Sequence, residues 1–125
     1  LDTLITHFKD TDRKPSYYDG IFTGDLGYVG KEILTELSLT QGYNIKSNYN
    51  DCGALIFDKE TQDTHAGGSG CGCAASVFSG YLFNKLKTKK LKKILLIATG
   101  ALTNATTSQQ GESIPGIAHA VSIEL

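Results

Sequence analysis

Methionine is absent from the 125 residues, which is expected of a segment of a longer polypeptide, since the chain carries no initiator. No apolar run reaches eighteen residues and no charged leader precedes an apolar core, so nothing in the sequence crosses a membrane by itself. An excess of one charge is also missing: 12 basic residues face 13 acidic ones. A strongly basic field that would recruit nucleic acid is therefore excluded. Cysteine occurs three times, as Cys52, Cys71 and Cys73. The count is odd, and Cys71 and Cys73 lie too close on a turn to pair easily, which fits a reducing setting. Neither an internal repeat nor a low-complexity tract is visible.

Against these absences stand 14 glycines, four of them within His65-Ala-Gly-Gly-Ser-Gly-Cys-Gly-Cys-Ala-Ala-Ser76. Glycine carries no Cβ, so backbone or a ligand can approach such a loop closely. Ala74, Ala75, Val77, Phe78, Tyr81, Leu82 and Leu86 then recur at helical spacing, which predicts a buried helix from about Gly72 to Lys87. A helix start presents unpartnered N–H groups and a partial positive charge, suited to a carboxylate or phosphate.

Elsewhere, Leu1, Leu4, Ile5 and Phe8 predict an amphipathic helix, with Asp2 as its cap or dipole partner. Pro15 marks a turn or a second short helix, and Tyr18–Thr23 a brief strand. Val29, Ile33, Leu34 and Leu37 predict a helix to Leu39 with Lys31, Glu32 and Glu36 turned away, Asp25 as N-cap and Gly42 as stop. Thr23-Gly24-Asp25 thus occupies a strand-to-helix corner, a usual place for ligand contacts in α/β sheets. Tyr43 to Cys52 is expected as loop, and Gly53–Phe57 as a strand or a helix start. Lys93–Thr99 reads as a strand covered on both faces, Gly100–Gly116 as a long polar loop, and Ile117–Glu124 as a strand antiparallel to the one before. The fold class expected is α/β, with helices against a sheet that ends in two antiparallel-paired strands.

The glycine loop lacks the lysine and hydroxyl of a P-loop, and its polar lead-in does not fit a dinucleotide fingerprint. Cys71 and Cys73 have the wrong spacing for a zinc site with Cys52 and His65. A catalytic thiol is conceivable, with Cys71 activated by the helix start and His65 as base, but packing accounts for such cysteines more simply. His7 and His119 read as structural. The lysines at positions 85, 87, 89, 90, 92 and 93 read as a solvated helix end, with an anionic membrane surface or partner as the alternative.

Gly67-Gly-Ser-Gly-Cys-Gly-Cys73, Ile97-Ala-Thr-Gly-Ala-Leu102, Gln109-Gln110, Glu112-Ser-Ile-Pro115 and Ile117-Ala-His119 together resemble the C-terminal part of the stage V sporulation protein AD family of spore-forming bacteria. Thr23-Gly-Asp-Leu-Gly27 and Asp51-Cys-Gly53 fit the same family, so the resemblance runs over essentially all of residues 1–125. It implies the second half of a thiolase-like fold, here a single fragment whose partner is the N-terminal half of its own chain. Condensing enzymes of that fold place a histidine at the strand-to-helix corner and a histidine or asparagine before the buried helix. Here the corner reads Thr23-Gly24-Asp25, and positions 66 to 69 hold neither residue, so the usual oxyanion hole cannot form and no catalysis and no cofactor are expected.

The resemblance implies instead the binding of dipicolinic acid (pyridine-2,6-dicarboxylate), alone or as its calcium chelate. The protein would work with membrane-embedded products of the same operon, moving the compound into the forespore and out at germination, peripheral to the spore's inner membrane. The expected contacts are Thr23, Gly24 and Asp25 at the corner, Gly67, Gly68, Ser69 and Cys71 at the helix start, Ser113 in the last loop, and Ile114 as an apolar wall. An acyltransferase using Cys71 with His65, and a purely structural scaffold, are the alternatives.

Overall fold

A computed structural model describes residues 1–125 apart from Ser69, Leu102, Thr103 and Pro115. Helix α1 (Asp2–Thr11) leads through a single 3-10 turn (Pro15–Tyr17) to strand β1 (Gly20–Thr23), followed by helix α2 (Gly27–Thr40). Strand β2 (Tyr49–Asp51) runs straight into the short helix α3 (Cys52–Leu55). The glycine loop then enters one helical stretch made of α4 (Cys73–Val77), a turn of π-helix (Phe78–Leu82) and α5 (Phe83–Lys87). Strand β3 (Lys93–Ala101), helix α6 (Ala105–Gln109) and strand β4 (Gly116–Glu124) complete the order.

The strands form one mixed sheet in the order β2-β1-β3-β4. β1 is parallel to both β2 and β3, whereas β4 runs antiparallel to β3. The α/β class, with helices on a sheet that ends in an antiparallel pair, is as the sequence predicts. Because side chains alternate along a strand, adjacent residues of β1 enter different cores. Ile21 joins Leu4, Phe8, Leu34, Leu95 and Ile97 beneath α1 and α2. Its neighbour Phe22 joins Ile94, Cys73, Val77, Leu82 and Leu86 beneath the glycine-loop helix. The unbroken apolar run of β3 thus serves both faces at once, with Leu95 and Ile94 each fully buried.

Several boundaries and burial patterns differ from the sequence expectation. The segment from Tyr43 to Cys52 is not all loop, because Tyr49–Asp51 pair with β1. The polar stretch after Gly100 contains α6, whose first turn Asn104 caps by accepting from Thr106 N at 2.9 Å. Asp2 lies inside the first turn of α1, where it complements the helix dipole rather than capping. The helix from Cys73 buries one face only, leaving Ala75, Tyr81 and Phe83 exposed.

The larger correction concerns α2. Its apolar stripe faces away from the sheet, with Val29 at 58%, Ile33 at 51% and Leu37 at 44% exposure. The face turned inward is Gly27, Leu34 and Ser38, and the Ser38 hydroxyl satisfies itself on Leu34 O at 2.7 Å. Of the predicted stripe only Leu34 enters the core, and Gly27 packs instead against the backbone of Ala66.

No helix among the described residues is long and apolar enough to cross a membrane. Truncating Leu95, which is fully buried at the centre of the sheet, is expected to remove about 2–5 kcal/mol of stability. Ser108→Ala on exposed α6 is expected to stay within about 0.5 kcal/mol. Urea unfolding of the two variants checks both outcomes.

Candidate functional site

β1, β2 and β3 run parallel, so their carboxyl ends share one edge of the sheet. Thr23-Gly24-Asp25 leaves β1 there, Asp51-Cys52-Gly53 leaves β2, and Thr99 lies near the end of β3. Parallel α/β sheets bind ligands outside this edge. The connections are held together by a carboxylate that the residue-by-residue reading did not single out.

Asp51 is fully buried. Its Oδ1 accepts from Thr23 Oγ1 at 2.5 Å and Leu26 N at 2.9 Å. Its Oδ2 accepts from Gly27 N at 2.9 Å and Ala54 N at 3.3 Å, the last as the N-cap bond of α3. A carboxylate offers about four lone-pair sites, and this one uses them on the starts of two helices and the end of a strand. Since the Thr23 proton goes to Asp51, the Tyr49 hydroxyl donates to Thr23 Oγ1, at 2.7 Å. Burial pushes the Tyr49 phenol well above its ordinary range.

The glycine loop docks on this corner, backbone to backbone. Tyr28 N donates to Ala66 O at 2.6 Å, and Gly68 N donates to Gly53 O at 3.1 Å. Gly27 sits at φ +70°, and a Cβ there would lie 2.5 Å from Ala66 O. A Cβ on Gly53 would collide with Asp25 Oδ1, while one on Gly67 would lie 2.9 Å from Gly53 O. Glycines on both sides of the contact are what allow two backbones to meet. Asp25 N bonds Thr99 Oγ1 at 3.2 Å, which joins the corner to β3.

Of the residues expected to contact a ligand, Thr23, Gly24, Asp25, Gly67 and Gly68 are brought together. Their donors are largely engaged within the chain. The Thr23 hydroxyl is only 2% exposed and faces Asp51. Gly67 N and Gly68 N donate to Thr64 O and Gly53 O. Gly70 N donates to Asp25 Oδ2 at 2.8 Å, so the chain's own carboxylate holds an amide that the sequence offers to an anion. Asp25 accordingly does not cap α2, whose N-cap is Leu26 with no side-chain bond. Cys71, Ser113 and Ile114 are exposed, and no hydrogen bond among the described residues joins Ser113 or Ile114 to the corner. Ser69 lies outside the described residues.

The side chain of His65 is 89% exposed and approaches Asp63 at 3.8 Å, not Cys71. Burial pushes the Cys52 thiol up to about 12. His7 bonds the Tyr18 hydroxyl at 2.7 Å, whereas His119 is exposed on β4. No cluster of three metal-ligating side chains occurs among the described residues. A separate cleft of about 570 Å³ lies between α2 and the segment leading into β2, lined by Tyr28, Lys31, Glu36, Asn44, Lys46 and Tyr49 among others, and it contains none of the expected contacts.

The sequence profile of the family described as stage V sporulation protein AD matches residues 1–124. Stage V sporulation protein AD of Bacillus subtilis (strain 168) is 44% identical over 123 residues, covering 98% of this chain and 36% of the relative. The chain therefore spans little more than a third of the length of that curated relative.

Asp51→Asn places N–H donors against N–H donors and is expected to lower stability by about 2–3 kcal/mol in chemical denaturation, more than Asp25→Asn at its partly exposed position. Peptide mapping after brief alkylation at pH 8 is expected to find Cys71 modified at least about tenfold faster than Cys52, whose thiol is buried and hard to ionise.

Proposed function

The chain belongs to the stage V sporulation protein AD family, hence to the proteins of sporulation, and from that premise we propose that it is the second half of a non-catalytic, thiolase-like protein that binds dipicolinate as its calcium chelate. The family resemblance supplies the compound. The arrangement of Asp25 supplies the preference for the chelate.

A planar dicarboxylate on its own needs N–H or cationic donors. At this corner the amides of Gly67, Gly68 and Gly70 are already engaged, and the side chain among them is the carboxylate of Asp25. A bare dianion is repelled by a carboxylate at that position. Calcium, in contrast, takes six to eight oxygen ligands, and a bound dipicolinate leaves part of that shell to be completed by others. Asp25 accepts from Gly70 N and is partly exposed at the carboxyl edge of the parallel strands, so its negative charge stands where a chelated cation would sit. In this proposal Asp25 meets the metal, Cys71 meets the ligand's rim, and Ser113 with Ile114 lines its ring once the N-terminal half is in place.

Non-catalytic action is supported by the corner's lack of a histidine and by the outward turn of His65. The same reading has the protein peripheral at the spore's inner membrane, with the membrane-embedded products of its operon as partners in moving dipicolinate. A purely structural role for the glycine loop is the second reading, favoured by the close backbone contacts at Gly27 and Gly53.

Calorimetry on the full-length protein tests the proposal. Dipicolinate with equimolar calcium is expected to bind at least about tenfold more tightly than dipicolinate alone, and Asp25→Asn to remove that difference. Absence of binding heat under both conditions overturns the proposal in favour of the structural reading. Equal affinity with and without calcium removes Asp25 from the site.

A further inference from the structure

Half of the chain's 12 basic residues fall in the nine positions Lys85–Lys93, with no acidic residue among them. The remaining sequence holds six basic residues against 13 acidic ones. The segment covers the end of α5 and the turn into β3, so the charge is gathered at one end of the fold. No ion pair among the described residues involves any of these lysines. Lys85 lies over the Tyr81 ring at 4.4 Å and Lys93 over the Tyr17 ring at 4.1 Å, while Lys87, Lys89, Lys90 and Lys92 are exposed. Asp19 binds the backbone of this turn, accepting from Lys92 N at 2.7 Å and Lys93 N at 3.0 Å, and so fixes its shape without pairing with its ammonium groups. Lys89 adopts φ +56°, where glycine is the usual residue after a helix.

We propose that this lysine-rich end is a docking surface for an anionic lipid bilayer. The charges are all lysine, compact and flexible, suited to a diffuse plane of headgroups rather than to the bidentate phosphate contacts that arginine makes. The acidic balance of the rest of the chain orients the molecule, because an anionic plane attracts this end and repels the others. Phe83, 53% exposed, lies one turn before Lys87 on the same helix face, and Tyr81 is exposed beside Lys85. Aromatic rings beside lysines are at home at headgroup level. A polyanion such as nucleic acid would need basic surface continuing beyond the patch, and the acidic remainder does not provide it.

The docking end lies at the start of β3, and the Thr23–Thr99 corner lies about six residues farther along the parallel strands, or about 20 Å. Bound in this way, the protein holds that edge away from the bilayer. The inference deepens the peripheral placement proposed above and does not depend on dipicolinate binding.

Co-sedimentation of the full-length protein with vesicles free of other protein tests the surface directly. Vesicles of phosphatidylcholine with 30% phosphatidylglycerol are expected to bind it, and pure phosphatidylcholine vesicles to leave it in solution. Raising salt from 0.1 to 0.5 M is expected to release it. At about fivefold per lysine, the triple variant Lys87→Gln, Lys90→Gln, Lys92→Gln loses about a hundredfold in partitioning. The control Lys31→Gln, Lys59→Gln, at the opposite edge of the sheet, retains it. The proposal is overturned if the anionic vesicles bind no better than neutral ones, if the control loses as much as the patch variant, or if the patch variant loses binding to duplex DNA but not to vesicles. Unchanged dipicolinate calorimetry in the patch variant keeps this outcome separate from the ligand reading.

Discussion

The buried carboxylate of Asp51 is the constraint on which the candidate site depends. One side chain receives the hydroxyl at the end of β1, the first amides of α2 and the capping amide of α3. Each of those groups would otherwise be an unsatisfied donor in an interior that has no place for water-bound polar atoms. Because the bonds converge on two oxygens of one residue, the corner after β1 and the turn after β2 cannot move independently. No buried side-chain polar atom among the described residues lacks a partner, as such a shared acceptor requires.

That rigid corner explains the placement of the glycine loop. With α2 and α3 in place, Ala66, Gly67 and Gly68 meet a surface made largely of backbone, where a Cβ on Gly27, Gly53 or Gly67 would collide. Gly27 and Gly53 on one side meet Gly67 and Gly68 on the other. Asp25 then closes the arrangement by accepting from Gly70 N. A loop rich in glycine is commonly read as a phosphate cradle, yet here its amides turn mostly to the chain's own carbonyls and to a carboxylate. The consequence is an edge at which an acidic side chain, rather than a row of open amides, stands beside the loop.

Much of the architecture was legible in the residues because it depends on local pattern. The apolar run from Lys93, the alternation from Ile117 and the proline at position 15 each report a local conformational preference, and each element forms as expected. The helix after the glycine loop also forms, although its π-turn at Phe78–Leu82 leaves no trace in apolar spacing. Burial was less legible. In α2 the periodicity marks Val29, Ile33, Leu34 and Leu37, but of these only Leu34 is buried, with Ser38 one turn on, while Val29, Ile33 and Leu37 stay exposed. β2 was hidden for a related reason: Tyr49-Asn-Asp51 is too short and too polar to announce a strand, and it exists because β1 offers it an edge.

The sequence by itself determined the family, the α/β class, the strand-to-helix corner at Thr23–Asp25 and the concentration of lysines before β3, because identity, periodicity and charge are properties of the chain written out in order. The tertiary structure alone decided which donors remain available to a ligand. Whether the hydroxyl of Thr23 or the amides of Gly67, Gly68 and Gly70 face outward depends on partners as distant along the chain as Asp51 and Asp25. A hydrogen bond is made by proximity in space, and proximity between segments 28 or 45 residues apart is a result of folding that local order does not contain.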